Sequence, residues 1–581
     1  MRHPSLLAAR LALALSPVAC GPAPVTPSDA VSADASDGGT DGARPRGGPA
    51  DTLLGVDRDA TLDRLAARIA AVQALSREGL ARLGLTWDAS IEAVRPRFRQ
   101  AESSTDVFYA LLALRNALHD VHSRLEVEPP TSERLGPPSE PDVFLPWRVE
   151  AERQDDASFA YIVQAVSPAW TEVPVGSRVL SIDGVETARV EREMRTWFAG
   201  SSPDGWRSFV ASTFARRSPV ELPSPRAGES VRITLVPPGE RAPRTVTSAW
   251  SAAPWSPPGV DPCLASVDLE PAREFIDRPP EFIGINLCVH PTAEPTRKIL
   301  RWFSFLYGFR DFAGSDPSLV YAPIALRERM RALSYPLPES ALPYLPGERA
   351  PRGILDPARL GALDVSAVGA WLRRQGVRDL LIDVRENRGG HFDPSWAAGL
   401  ATRTFRQPGM RVLFGPGLRE DPSLLDRAEA GPQARLAQGY LLDHPEAAQS
   451  PLYPFICRSA ACSESELDIA PSADPWGVRA VLLTGPGCVS ACDTWASLLA
   501  DNGLATVAGL PSEGADSPVR IPVELPLSDG ASVVTMVLTV GVSYRGDGAT
   551  VQGHPPVPSC PVAPSAAHRG GYLNAVLEAC R

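Results

Sequence analysis

Ser490 ends a glycine-rich turn between an apolar run and a segment of helical spacing, in VRAVLLTGPGCVSACDTWASLLADNGLATVAG at residues 478–509. Val478 to Leu483 reads as a short buried strand closed by that turn. Ala491, Trp495, Leu498 and Leu499 then recur at helical spacing, and Gly503 suits a helix C-cap. A serine at a helix start has beside it backbone N–H groups that the helix leaves unused and the positive end of the helix dipole. Both favour an oxyanion that develops during nucleophilic attack. The same serine, three residues before Asp493, also fits a capping box that does no more than start a helix.

A second turn bears on the choice. Residues 377–391, VRDLLIDVRENRGGH, form an apolar strand followed by a polar turn with Gly389 and Gly390 adjacent. Without a Cβ, such a pair lets a backbone N–H approach a ligand closely. The alternative is an ordinary strand-to-helix turn.

The two segments together resemble the core of the C-terminal processing (tail-specific) peptidases and their tricorn-like relatives. In that family LIIDLRxNxGG supplies one oxyanion-hole amide, and SASE, a helix and DxGRAxVVGxPTxG supply the nucleophile. Here LLIDVRENRGG matches the first, and SACD followed by DNGLATVAGLPSEG matches the second. The resemblance makes Ser490 the nucleophile and the amides of Ala491 and Gly390, in the Gly389–Gly390 pair, the oxyanion hole. Residues 87–126, ending in HDVHSRLEV, resemble the family's N-terminal helical region with its LxDxHS/T motif. Residues 159–187 resemble half of a PDZ domain, with Ser177 where aspartate is usual. A hairpin turning at Asp529 and Gly530 leads to VQGHPPVPS, a worn form of VEGxGVxPD.

The departures from the family direct the mechanism. Tail-specific peptidases use a Ser–Lys dyad, but the lysine position is Ala515 and the one lysine of the chain, Lys298, lies in no catalytic motif. The tricorn-like branch uses a histidine instead, and His122 occupies the matching position. An ordinary imidazole pKa of about 6.5 suits a general base near neutral pH. The neighbouring serine of tricorn is Val121 here, and its assisting glutamate aligns with Gln552. His391 is a second candidate base, and Asp120 could orient a histidine or be solvated. Residues 105–122 are expected to be helical, so His122 could instead serve the last turn of a helix. His119 and His122 would then share a helical face, but without a third ligand we assign no metal and no cofactor.

At 581 residues the chain exceeds one ordinary domain, and its 44% hydrophobic content is that of a globular protein. A net charge of −11 without a long basic run argues against nucleic acid as a partner. Arg2 and His3, an apolar run through Leu15, and SPVAC ending at Cys20 read as an export signal. Cys20 before a Pro-, Ser-, Asp- and Gly-rich stretch resembles a lipoprotein signal, which would anchor the chain to a membrane of the bacterial cell envelope. A conventional cleaved signal, and a periplasmic or secreted protein, is the alternative. The other eight cysteines are even in number, as disulfides of an oxidising compartment would require. Proximity pairs Cys263 with Cys288, Cys457 with Cys462 and Cys560 with Cys580. A bridge between Cys488 and Cys492 would fix the turn that carries Ser490.

These marks divide the chain into a signal (1–20), a linker (21–50), a helical domain (51–128), a PDZ-like domain (143–250) and a catalytic core with insertions (251–581). In the helical domain Leu62, Leu65, Ile69 and Val72 show helical spacing. Residues 251–350 and 404–475 have little regular pattern, as insertions that line a groove or decorate the surface would. The fold class expected is a mixed α/β multidomain protein with a helical segment, a β-rich PDZ-like domain and an α/β core resembling the ClpP/crotonase-like fold. The function expected is an exported serine endopeptidase acting on a polypeptide, through its C-terminus if the PDZ-like domain binds it. A catalytically inactive binding protein on the same scaffold and a small-ester hydrolase are the alternatives.

Overall fold

The apolar runs that flank the two glycine turns form neighbouring strands of one sheet. The computed structural model describes residues 49–580 apart from 74–79, 82, 137, 155–157, 168–169, 171, 195, 198, 222, 254–281, 284–286, 303–304, 306–368, 391–392, 429–431 and 563–571. Arg297–Trp302, Asp379–Asp383, Arg479–Thr484 and Thr506–Gly509 lie side by side and parallel. Leu287–Pro291 and Phe282–Ile283 extend the sheet antiparallel to six strands. Successive residues face opposite layers. Leu380, Ile382 and Leu482 pack with Trp495, Leu498 and Leu499 of the helix Ala491–Asp501. Leu381, Val481 and Leu483 pack with Leu573 and Val576 of the helix Tyr572–Ala579. Both faces are covered, so Leu380–Ile382 and Ala480–Leu483 are continuous apolar runs rather than alternating ones. Asp383 pairs with Leu483 in the register, which brings the turns that follow the two strands together beyond the C-terminal edge of the sheet.

A second core lies under the N-terminal helices. Leu62, Leu65, Ile69 and Val72 are all buried in the helix Arg58–Val72. They share one apolar cluster with Val523, Leu525, Val534 and Met536 of the hairpin Arg520–Pro526 and Val533–Thr539. Arg124–Glu126 adds a third strand to that hairpin. The expected helix over 105–122 is shorter, Ser104–Asn116. Beyond it the chain turns with His119 at φ 48°, and the Arg115 guanidinium donates to the carbonyl oxygens of Val121 and Ser123. Residues 117–123 therefore form a loop braced by an arginine, and neither histidine sits in a helix.

The stretch 404–475 also differs from expectation. Met410, Val412, Phe414, Leu418, Leu425, Ala434 and Leu441 belong to the same cluster as the N-terminal helices. Most of its elements are short, such as Gly409–Val412 and Pro416–Glu420, and the longer helix Pro432–Asp443 buries Gln433, Ala434, Ala437 and Leu441, a face of few large apolar residues, so little periodicity shows although the segment is core.

A third core belongs to an antiparallel sheet of Trp147–Arg153, Phe159–Val166, Arg178–Ile182, Ser230–Val236 and Arg244–Ala249, with Val185–Glu186 beside it. The helices Thr187–Met194 and Pro203–Thr213 cover it through Val190, Met194, Trp206 and Val210. Among the described residues, no helix is long and apolar enough to cross a membrane.

Candidate active site

Ser490 precedes the first residue of the helix Ala491–Asp501 and has φ 64° and ψ −124°, a positive φ that few residues other than glycine adopt. Its N–H donates to Asp493 Oδ2 at 3.1 Å, the bond expected of a helix-starting Ser-x-x-Asp. Its Oγ, however, lies 2.8 Å from His122 Nε2. The long-range contact joins residues 368 apart in the chain, from the braced loop and the nucleophile turn. His122 is buried, and burial is the main cause of an imidazole pKa lowered to about 4, with Arg520 adding to it and Asp120 opposing it. The ring is therefore neutral at pH 7, the state that can accept the serine proton.

Asp120 lies behind the histidine and is fully buried. Four donors converge on its carboxyl group: the His122 N–H at 3.0 Å, Ser123 Oγ at 2.8 Å, Thr539 Oγ1 at 2.6 Å and Ser517 Oγ at 3.4 Å. Its Oδ1 is 3.8 Å from His122 Nδ1, which has no hydrogen-bond partner among the described residues. Gln552, at the position of the assisting glutamate, does not supply that bond. Its Oε1 accepts the Asp516 N–H at 2.7 Å and its Nε2 donates to Ser201 Oγ at 2.9 Å.

The glycine pair lies against the nucleophile turn. Gly389 has φ 85° and Gly390 φ 130°, both open to glycine at little cost. A Cβ on Gly389 would stand 2.6 Å from Val489 O and 2.8 Å from Ser490 Cβ, so only hydrogen fits. Asn387 ties the turns together: its Oδ1 accepts the Gly389 N–H at 2.9 Å, its Nδ2 donates to Trp302 O at 2.9 Å, and its carbonyl accepts the Val489 N–H at 3.1 Å. Ala491 is the first helical residue, whose N–H has no carbonyl one turn earlier.

The two departures from the family pattern meet in space. Val121, Val489 and Ala515 form a small apolar cluster with Phe209 against it, so alanine at the lysine position and valine at the serine position pack together. The Ala515 N–H and the Gly514 N–H donate to Asp493 at 2.9 and 2.8 Å. Even with these donors, burial pushes Asp493 up to about 7 and Asp516 up to about 6, and raises Glu513 well above the usual carboxylate range. Glu513 accepts the Ser201 N–H at 2.5 Å and fills the space beside Gly205, at the start of the helix Pro203–Thr213.

Ser517 and Thr539, as partners of Asp120, carry no local signal, since neither lies near it in the chain. Asn387 was legible only as a letter of LLIDVRENRGG. His391 and Cys263 lie outside the described residues, as do the side chain of Cys288 and the signal with Cys20. Cys457–Cys462, Cys488–Cys492 and Cys560–Cys580 are disulfides. His119 packs edge-on to Trp206, and no group of metal-ligating side chains occurs among the described residues.

A half-buried serine against a buried histidine, beyond the C-terminal edge of a covered parallel sheet, is the scaffold and site of a serine-type peptidase. Residues 362–559 match the profile of peptidase family S41. The match omits the segment that supplies His122. Among solved structures, mature CPAF has 15% identity and a TM-score of 0.59, over 90% of this chain and 95% of its own. CPAF complexed with lactacystin gives 16% identity and a TM-score of 0.59, over 90% and 97%. These likenesses are of fold. The photosystem II D1 C-terminal processing protease aligns over 88% of this chain and 96% of its own at 12% identity, with a TM-score of 0.35. No curated protein matches the chain by sequence.

Proposed function

We propose that the protein hydrolyses peptide bonds through an acyl-enzyme on Ser490, with His122 as general base. The observation that carries this reading is the 2.8 Å approach of His122 Nε2 to Ser490 Oγ on a backbone of positive φ. His122 takes the serine proton as Oγ attacks the substrate carbonyl, and the N–H groups of Ala491 and Gly390 receive the oxyanion. The imidazolium so formed needs an acceptor at Nδ1. Asp120 Oδ1 reaches it from 3.8 Å by closing about 0.8 Å, to an ordinary hydrogen-bond length. His122 then returns the proton to the leaving amine, and water resolves the ester.

The antiparallel sheet over 147–249 is read as a PDZ-like unit that takes an extended peptide end by strand addition. Export, with lipidation at Cys20 or cleavage nearby, is supported by the signal pattern and by the disulfides. The test is labelling of folded, oxidised protein lacking residues 1–50 by a fluorophosphonate, together with hydrolysis of unfolded polypeptide. Labelling and hydrolysis that both vanish in Ser490→Ala and His122→Ala support the reading. A folded wild type that neither labels nor cleaves overturns it, and cleavage of small esters alone moves it to an esterase.

A further inference from the structure

The conformation of Ser490 is a departure from what its own sequence favours. A non-glycine residue in such a region is strained and persists only where its surroundings over-determine it. Elsewhere in this chain Thr86, Ser103 and Ser202 begin helices with φ between −107° and −136°, the ordinary extended form. Ser490 differs from them in being enclosed by a covalent ring. Cys488 lies two residues before it and Cys492 two residues after, their Cα atoms 5.3 Å apart and their sulfurs bonded. Both cysteines are fully buried. One end of the ring is held by Cys488 N–H on Gly485 O at 2.9 Å and Glu513 N–H on Cys488 O at 3.0 Å; the other lies in the first turn of the helix.

We propose that Cys488 and Cys492 are positioning residues of the reaction: their disulfide holds Ser490 at positive φ, with its hydroxyl within reach of His122. This rests on the peptidase reading for its consequence in rate, but the conformational claim stands without it. Without the bridge, the backbone from 488 to 492 relaxes toward the extended form of the other helix starts, and Oγ leaves the imidazole. The chain made with two thiols is slack at its nucleophile. It becomes competent when a disulfide oxidant of the compartment accepts two electrons and two protons from the pair, one S–S bond forming as the oxidant becomes two thiols. The other two bridges among the described residues, Cys457–Cys462 and Cys560–Cys580, enclose no residue of the site.

The experiment compares wild type, C488A/C492A and C560A/C580A, all as full mature chains. Three measurements are made: hydrogen exchange of residues 488–498, fluorophosphonate labelling rate, and kcat and KM on a peptide. A tryptic peptide spanning 480–520 contains both cysteines and no others, so its mass without reduction reports the bridge. Expected for C488A/C492A are a folded protein, exchange faster by tenfold or more at 488–493, labelling slower by tenfold or more, and a fall in kcat with KM within twofold. C560A/C580A keeps wild-type labelling, and wild type isolated with two thiols labels slowly until oxidised by a disulfide such as oxidised glutathione. Wild-type exchange and labelling in C488A/C492A overturns the proposal, as does a peptide 480–520 carrying two thiols in fully active protein. If wild type does not label but loss of the bridge still speeds exchange, the peptidase reading falls and the positioning claim stands.

Discussion

Ser-x-x-Asp starts an α-helix at Ser103 and again at Ser490, and the two fold differently. At Ser103 the backbone is extended, with φ −107° and ψ 167°. Asp106 takes the Ser103 N–H at 2.8 Å and returns its own N–H to Ser103 Oγ at 3.1 Å. At Ser490 the aspartate still takes the serine N–H, but φ is 64° and the hydroxyl meets His122. Four residues of local pattern cannot tell a structural helix start from a nucleophile turn. The difference comes from neighbours: Gly389 against the serine, the ring through Cys488 and Cys492, and an imidazole delivered from residue 122.

The largest break in this comparison is Ser490→Ala, which should lower kcat/KM for peptide by about 10⁴-fold or more while leaving the fold intact. Gly389→Ala comes next. Its Cβ would meet Val489 O and Ser490 Cβ at 2.6 and 2.8 Å, displacing the nucleophile turn, and a misplacement of this kind costs about 10²-fold in kcat. Near wild-type turnover in that variant would show that the turn tolerates what the geometry forbids. Asp120→Asn should lower kcat by roughly tenfold to 10²-fold with little change in KM, because the imidazolium loses its charged neighbour. An unchanged kcat would remove Asp120 from the mechanism.

The pH profile sharpens the same point. With His122 lowered to about 4 by burial, the base stays neutral through pH 5 and 6, so kcat/KM for folded enzyme should fall only below about pH 5. An acid limb at 6.5, the ordinary imidazole value, would mean that water reaches the ring. Stability moves with it. Between about 4 and 6.5 the unfolded chain holds the proton that the folded His122 refuses, so stability is lost as pH falls through that window and is unaffected by this group above it. The smallest effect on activity is expected at the other serine. Ser103→Ala should cost about 1 kcal/mol in denaturant unfolding, as helix caps do, and leave kcat unchanged.

Asp493, Glu513 and Asp516 are buried around the turn that follows the nucleophile helix, and burial pushes all three toward the neutral acid. Glu513 and Gln552 both grip Ser201, so the helix start at 202 and the turn at 513–517 are bolted together. This is how Gln552 comes to serve as a neutral strut where the resemblance placed an acid.

Much of the core was legible because its signals are local. Leu380 to Ile382 and Val481 to Leu483 read as buried strands, Trp495, Leu498 and Leu499 as the inner face of a helix, and Gly389–Gly390 as a close approach. The apolar content of 404–475 was not legible as core, because most of its elements are short and the inner face of its longer helix, Pro432–Asp443, is mainly glutamine and alanine. The end of the helix at Asn116 was missed because Arg115 stops it through carbonyls six and eight residues onward, a tertiary brace with no pattern of its own.

By itself the sequence determined which residues could act: a serine at a helix start, a glycine pair, a histidine without a catalytic lysine, and cysteines on both sides of the serine. Only the tertiary structure decided that Ser490 takes positive φ, that His122 rather than Gln552 reaches it, and that Val121 and Ala515 fill one apolar contact beneath it. The physical reason is that backbone strain, desolvation and hydrogen bonds between residues hundreds apart are properties of packing. Each exists only when distant segments are brought together, and none is written in the few residues on either side of the site.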